Sequence, residues 1–100
     1  MTAGDLRFVW DRVKARENER KHRVSFLEAQ TVFADERALL IDDPDHGIDE
    51  QRFILLGLSA VGRHLVVCHC YREAEDVIRI FSARKANAAE RQVYADRWAI

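Results

Sequence analysis

The chain has 100 residues, 48% hydrophobic and 33% charged, with a formal net charge of −1 at pH 7. That length fits a single domain over residues 1–100 with a modest core, and that composition excludes a disordered chain. No apolar run approaches the roughly 20 residues of a membrane span, and MTAGDLRFVWD lacks the apolar core of a secretory signal, so a cytoplasmic location is expected.

Residues 7–10, Arg-Phe-Val-Trp, read as a short strand. Asp11 is placed to cap a helix over about 12–22. That helix is mostly charged, with Val13 and Ala15 as its main apolar residues, so it either packs by a narrow stripe or lies across the surface. Lys21-His22-Arg23-Val24 then makes an elbow that sets an imidazole between two cations. Ser25-Phe-Leu-Glu28 reads as a capping box, with Glu28 reaching back to the Ser25 backbone. In the helix over about 26–34, Phe26, Ala29, Val32 and Phe33 recur at helical spacing and face the core.

A strand over 37–42 ends in the breaker Asp-Asp-Pro-Asp-His-Gly. Strands over 51–59, 63–71 and 77–82 follow with short connections, an antiparallel meander in a sheet of at least four members. Asn87-Ala-Ala-Glu90 is a second capping box and opens a helix over about 88–98, with Ala89, Val93, Tyr94 and Trp98 as its buried side. The fold class is α+β: an antiparallel β-sheet meander with two N-terminal helices and one C-terminal helix, the helices covering one sheet face. Strand 51–59 is apolar on both alternations, which leaves an apolar second face for a partner protein or a homodimer.

The near-neutral total hides separate surfaces. Residues 11–24 hold six basic side chains against three acidic ones, whereas residues 42–50 hold five acidic and no Lys or Arg. Cys68 and Cys70 fall on one face of their strand and His69 on the other, so neither a bridge nor a metal site is expected there. No other Cys/His pairing suggests a metal, and no Gly-rich loop suggests a nucleotide cofactor.

The string Phe8-x-Trp10-Asp11, Lys14, Asn18, Lys21-His22-x-Val24-Ser25-Phe26 and Ala29, followed by Arg52, Gly57, His69, Arg79-Ile80-x-Ser82-Ala83-Arg84, Glu90-Arg91 and Tyr94, resembles the BrnT family of type II toxin–antitoxin toxins. The resemblance runs over nearly the whole chain in order. It implies a RelE-like ribonuclease fold, an RNA substrate, inhibition of translation by RNA cleavage, and neutralisation by a BrnA-like antitoxin. The chain's near-neutral charge and two-sided apolar strand also fit a second reading, an inactive relative kept as a protein-interaction module or co-repressor.

Metal-independent RNA cleavage with a 2′,3′-cyclic phosphate product needs a base for the 2′-OH, an acid for the departing 5′-oxygen, and cations for the phosphorane. His22 is the first candidate for proton transfer, since an ordinary imidazole titrates near ~6.5. His69 is the second, against the alternative of a hydrogen-bonded core histidine. Arg79 shares an apolar alternation with Val77 and Phe81, so it needs either a carboxylate partner or a ligand. Arg84 and Lys85 precede the last helix, whose N-terminus attracts phosphate. Arg79 and Arg84 join the catalytic candidates, and Lys14, Lys21, Arg52 and Lys85 the RNA-binding ones.

Overall fold

The computed structural model describes residues 6–43, 51–72 and 76–97. The elements are β1 (Arg7–Val9), α1 (Arg12–His22), α2 (Phe26–Thr31) with a 3-10 turn (Val32–Ala34), β2 (Leu39–Asp42), β3 (Phe53–Leu58), β4 (His64–Arg72), β5 (Val77–Lys85) and α3 (Ala88–Asp96). Most of the expected breaker loop, His46 included, and Trp98 lie outside the described residues.

Local rules place the helix starts. Asp11 caps α1 by accepting from the Lys14 N–H at 2.9 Å, and Ser25 caps α2 by accepting from the Glu28 N–H at 3.0 Å. Asn87 and Glu90 complete the expected capping box on α3. The box at Ser25 stays half made. The Glu28 carboxylate turns instead to Arg63, from Nε at 2.9 Å and also from NH2, and accepts from Ser59 Oγ at 2.8 Å. Two charge-assisted bonds to a guanidinium outweigh one to a backbone amide.

β2 to β5 form the antiparallel meander, and β1 adds a fifth strand, parallel to β5, in the order β1-β5-β4-β3-β2. Alternation splits the residues of each strand between two faces. On the first face Leu55, Leu65, Val67, Ile78, Ile80 and Ala83 pack against Val24 of the elbow, Phe26 and Ala29 of α2, and Val32 of the 3-10 turn. On the second face Leu56 and Val66 pack with Ala86 and with Tyr94 of α3. The helices therefore do not share one face, as the sequence pattern suggested: α3 covers part of the second. It rests there through Tyr94, while Ala89 is exposed and Val93 is 48% exposed, so the expected buried side is narrower than its spacing implied.

Two departures position the site. β5 runs three residues further than expected, to Lys85, so Arg84 and Lys85 belong to the strand. β5 also carries a bulge: Cys68 pairs with Ser82 and His69 with Ile80, which leaves Phe81 as the extra residue. Among the described residues no helix is long and apolar enough to cross a membrane.

Candidate functional site

α1 is held against the edge of β5 by one buried side chain. β1 pairs with β5 only over Val77 to Arg79, and beyond that point the backbone of β5 needs another partner. Asn18, 7% exposed, provides it: Nδ2 donates to the Ala83 carbonyl at 2.8 Å, and Oδ1 accepts from the Ala83 N–H at 3.0 Å. Nδ2 also donates to the Val24 carbonyl at 2.9 Å, which ties in the elbow. The primary amide thus replaces one residue of a missing strand. The elbow turns at Arg23, whose φ of 60° lies in the left-handed region and whose N–H closes α1 on the Glu19 carbonyl at 2.9 Å.

With α1 anchored at Asn18, the side chains three and four residues away share its face. Lys14, Glu17, Asn18, Lys21 and His22 line an open cleft of about 300 Å³, closed on its other side by Phe81 and Ser82 of the β5 bulge. Arg79 pairs with Cys70 and Ser82 with Cys68, so both face the second side of the sheet, and Phe81, two residues after Arg79, shares it. Phe81 is the meeting point of three cations. The Arg52 guanidinium lies 4.3 Å from its ring centroid, Lys14 Nζ 5.7 Å and the Arg79 guanidinium 6.0 Å. No carboxylate among the described residues pairs with Arg79. Glu17 is the only carboxylate among the described residues that line the cleft, and a hydrogen bond from Arg20 holds its carboxyl below the usual range.

The structure therefore brings His22, Lys14, Lys21, Arg52 and Arg79 to one region. Three expected members stand elsewhere. His69 is fully buried on the first face, ringed by Phe33, Phe53 and Tyr71, with Nδ1 against the Val67 carbonyl at 3.2 Å and a buried Nε2 that has no hydrogen-bond partner. Burial pushes its imidazole down to about 4, and a substrate phosphate cannot reach it. Arg84 is held in a two-pronged ion pair by Glu90, at 2.8 and 2.7 Å. Lys85 pairs across to Leu65 and bears on Glu28, away from the cleft. The N-terminus of α3, expected to attract phosphate with them, is already satisfied by its own capping box.

Sequence reasoning gave no role at the site to Phe81 or Glu17 and met Asn18 and Ser82 only within the resemblance. The one local signal was that Phe81 shares the alternation of Arg79. The Cys68 thiol offers no competing chemistry: it donates to Asp43 at 3.4 Å, and burial together with that carboxylate pushes it up to about 11, so it stays protonated.

Comparison with known proteins agrees in extent with this architecture. The family profile described as the ribonuclease toxin, BrnT, of type II toxin–antitoxin systems matches residues 10–90. Among solved structures, the crystal structure of the Brucella abortus ribonuclease toxin BrnT superposes with a TM-score of 0.62 at 18% identity, covering 82% of this chain and 97% of that one. At that identity the likeness speaks for the fold. No curated protein sequence matches the chain.

Proposed function

The chain belongs to the BrnT family, the ribonuclease toxins of type II toxin–antitoxin systems, and from that premise we propose that it cleaves RNA without a metal ion, in the cleft between α1 and the β5 bulge. The observation that carries this reading is the gathering of Lys14, Lys21, Arg52 and Arg79 with the His22 imidazole around Phe81 and Ser82. Four cations near one open cleft suit a substrate whose charge lies on phosphates. The imidazole suits one that must lose and gain a proton, since it can take a proton or give one.

In the reaction a ribose 2′-OH gives up its proton and its oxygen bonds to the adjacent phosphorus. The bond to the 5′-oxygen breaks, and that oxygen takes a proton. The products are a 2′,3′-cyclic phosphate and a 5′-hydroxyl. DNA lacks the attacking group. His22 serves one proton transfer, and Glu17, kept ionised by Arg20, is the candidate for the other. Arg79 and Arg52 stabilise the phosphorane, while Lys14 and Lys21 hold the strand. His69, Arg84 and Lys85 take no direct part.

The reading extends to one toxin domain over residues 1–100, RelE-like in fold, acting in the cytoplasm. It is neutralised by a cognate BrnA-like antitoxin. An apolar cleft of about 150 Å³ lined by Ile41, Ile54, Leu56, Val66 and Val93 beside Glu90 supports a protein partner on the second face, with a homodimer as the competing occupant.

The test is cleavage of an RNA oligonucleotide by purified protein in excess EDTA, with the product ends identified by mass. We expect cyclic-phosphate ends, and a fall of about 10²–10⁴-fold in kcat for His22→Ala and for Arg79→Ala, with the fold retained by circular dichroism. Full activity in both variants removes the assigned roles, and activity that EDTA abolishes removes the metal-independent route.

A further inference from the structure

Phe81 is hard to explain as packing. It belongs to neither hydrophobic cluster of the molecule, although its neighbours Ile80 and Ala83 belong to the larger one. It is half-buried, at the mouth of an open cleft. The bulge takes the ring out of regular pairing and delivers it to the same side as Arg79 and Ser82. Its surroundings there are cationic: Arg52 lies close, at 4.3 Å, while Lys14 and Arg79 stand off at 5.7 and 6.0 Å. A phenyl ring with cations on its flanks is the combination that holds single-stranded nucleic acid, in which aromatic faces take bases and basic side chains track the backbone.

We propose that Phe81 is a nucleobase platform: a base of the RNA strand stacks on the Phe81–Arg52 pair while Lys14 and Arg79 hold the phosphates beside it. This rests on the reading of the cleft as the RNA-cleaving site. The guanidinium adds a second planar surface to the phenyl, since Arg stacks on aromatic faces and on bases alike. Every base presents a π-face, so this position tolerates all four bases with only a modest bias toward the better-stacking purines. Selectivity for sequence, where the protein has any, then comes from other contacts. The platform also places the scissile linkage. A base fixed over Phe81 sets its own ribose next to Ser82 and across the cleft from His22, which line it from opposite sides.

The experiment uses a 2′-O-methyl oligonucleotide, which cannot be cleaved, carrying the fluorescent base 2-aminopurine at successive positions. The unmodified RNA is used in parallel for cleavage. The parent protein is expected to quench the probe at one position, and Phe81→Trp is expected to keep that quenching. Phe81→Leu, which retains apolar volume without a π-face, is expected to lose it and to bind about tenfold more weakly. Replacing the same nucleotide by an abasic one is expected to weaken binding to the parent protein similarly, a result that needs no variant to fold. Quenching and affinity unchanged in Phe81→Leu, or no loss with the abasic strand at any position, overturns the platform. If those results came with normal cleavage of the unmodified RNA, the cleavage reading would stand without it. Conversely, Phe81-dependent quenching with no cleavage by the parent protein supports the platform and removes the nuclease.

Discussion

The carbonyl of Val67 decides where the proton of His69 sits. It can only accept, so at 3.2 Å Nδ1 carries the hydrogen and Nε2 is left as a bare, buried acceptor facing aromatic rings. A second proton would put a charge among Phe33, Phe53 and Tyr71, and burial accordingly pushes the group down to about 4, although the Val67 carbonyl works the other way. In the unfolded chain the imidazole titrates near ~6.5. Between these values the unfolded state binds more protons than the folded one, so stability falls as pH drops through this window. The full difference is on the order of 3 kcal/mol. Glu28 and Glu90 are held below the carboxylate range by Arg63 and Arg84, so their contributions are lost only at lower pH. We expect urea unfolding to show a steady loss of stability from pH 6.5 to 4.5, and His69→Leu to flatten that stretch. An unchanged slope in His69→Leu would show that other groups cause it. The strand alternation already separated His69 from Cys68 and Cys70. It could not show that the same face is sealed by Phe33, which arrives from a different element.

At the level of elements, the seam between α1 and β5 decides whether the cleft exists. α1 has no apolar stripe: Val13 is 58% exposed, and the one buried residue of the helix is Asn18. Its amide makes three hydrogen bonds to backbone groups of Ala83 and Val24. Asn18→Ala leaves those groups unpaired in a buried place, at about 1–3 kcal/mol for each group that water cannot reach. We expect it to lower stability by roughly 2–4 kcal/mol. Asn18→Asp should be at least as damaging, because a carboxylate cannot donate to the two carbonyls and would face them as a buried anion. Hydrogen exchange at the Ala83 amide should rise in both. Protection unchanged in Asn18→Ala would show that packing alone holds the helix. The helix starts and strand alternations were legible because caps and periodicity act over a few residues. The seam was not, since its two halves lie 65 positions apart. Arg84 misled for the same reason. As a cation before a helix it suggested phosphate, but the capping glutamate of that helix had taken it. Nor could alternation foresee the bulge that separates Phe81 from the regular pairing of its strand.

Over the whole molecule the formal charge is −1, so no net positive charge draws a polyanion in. Attraction for RNA must come from the local group of Lys14, Lys21, Arg52 and Arg79, with Glu17 opposing it among the described residues that line the cleft. Such a molecule should bind single strands modestly and lose that binding steeply with salt. Each phosphate neutralised on a single strand contributes about −0.7 to the slope of log K against log salt, so four cations predict a slope near −3. Lys14→Ala with Lys21→Ala should bring it to about −1.5 and weaken binding evenly across sequences, because point charges on phosphates carry no base information. Arg84→Ala should leave the slope where it is, since Glu90 already neutralises that guanidinium. The measurement is fluorescence anisotropy of a non-cleavable RNA over a salt series. If Arg84→Ala reduces the slope as much as the double lysine variant does, the strand runs along β5 toward α3, and the cationic site is centred there instead of at Phe81.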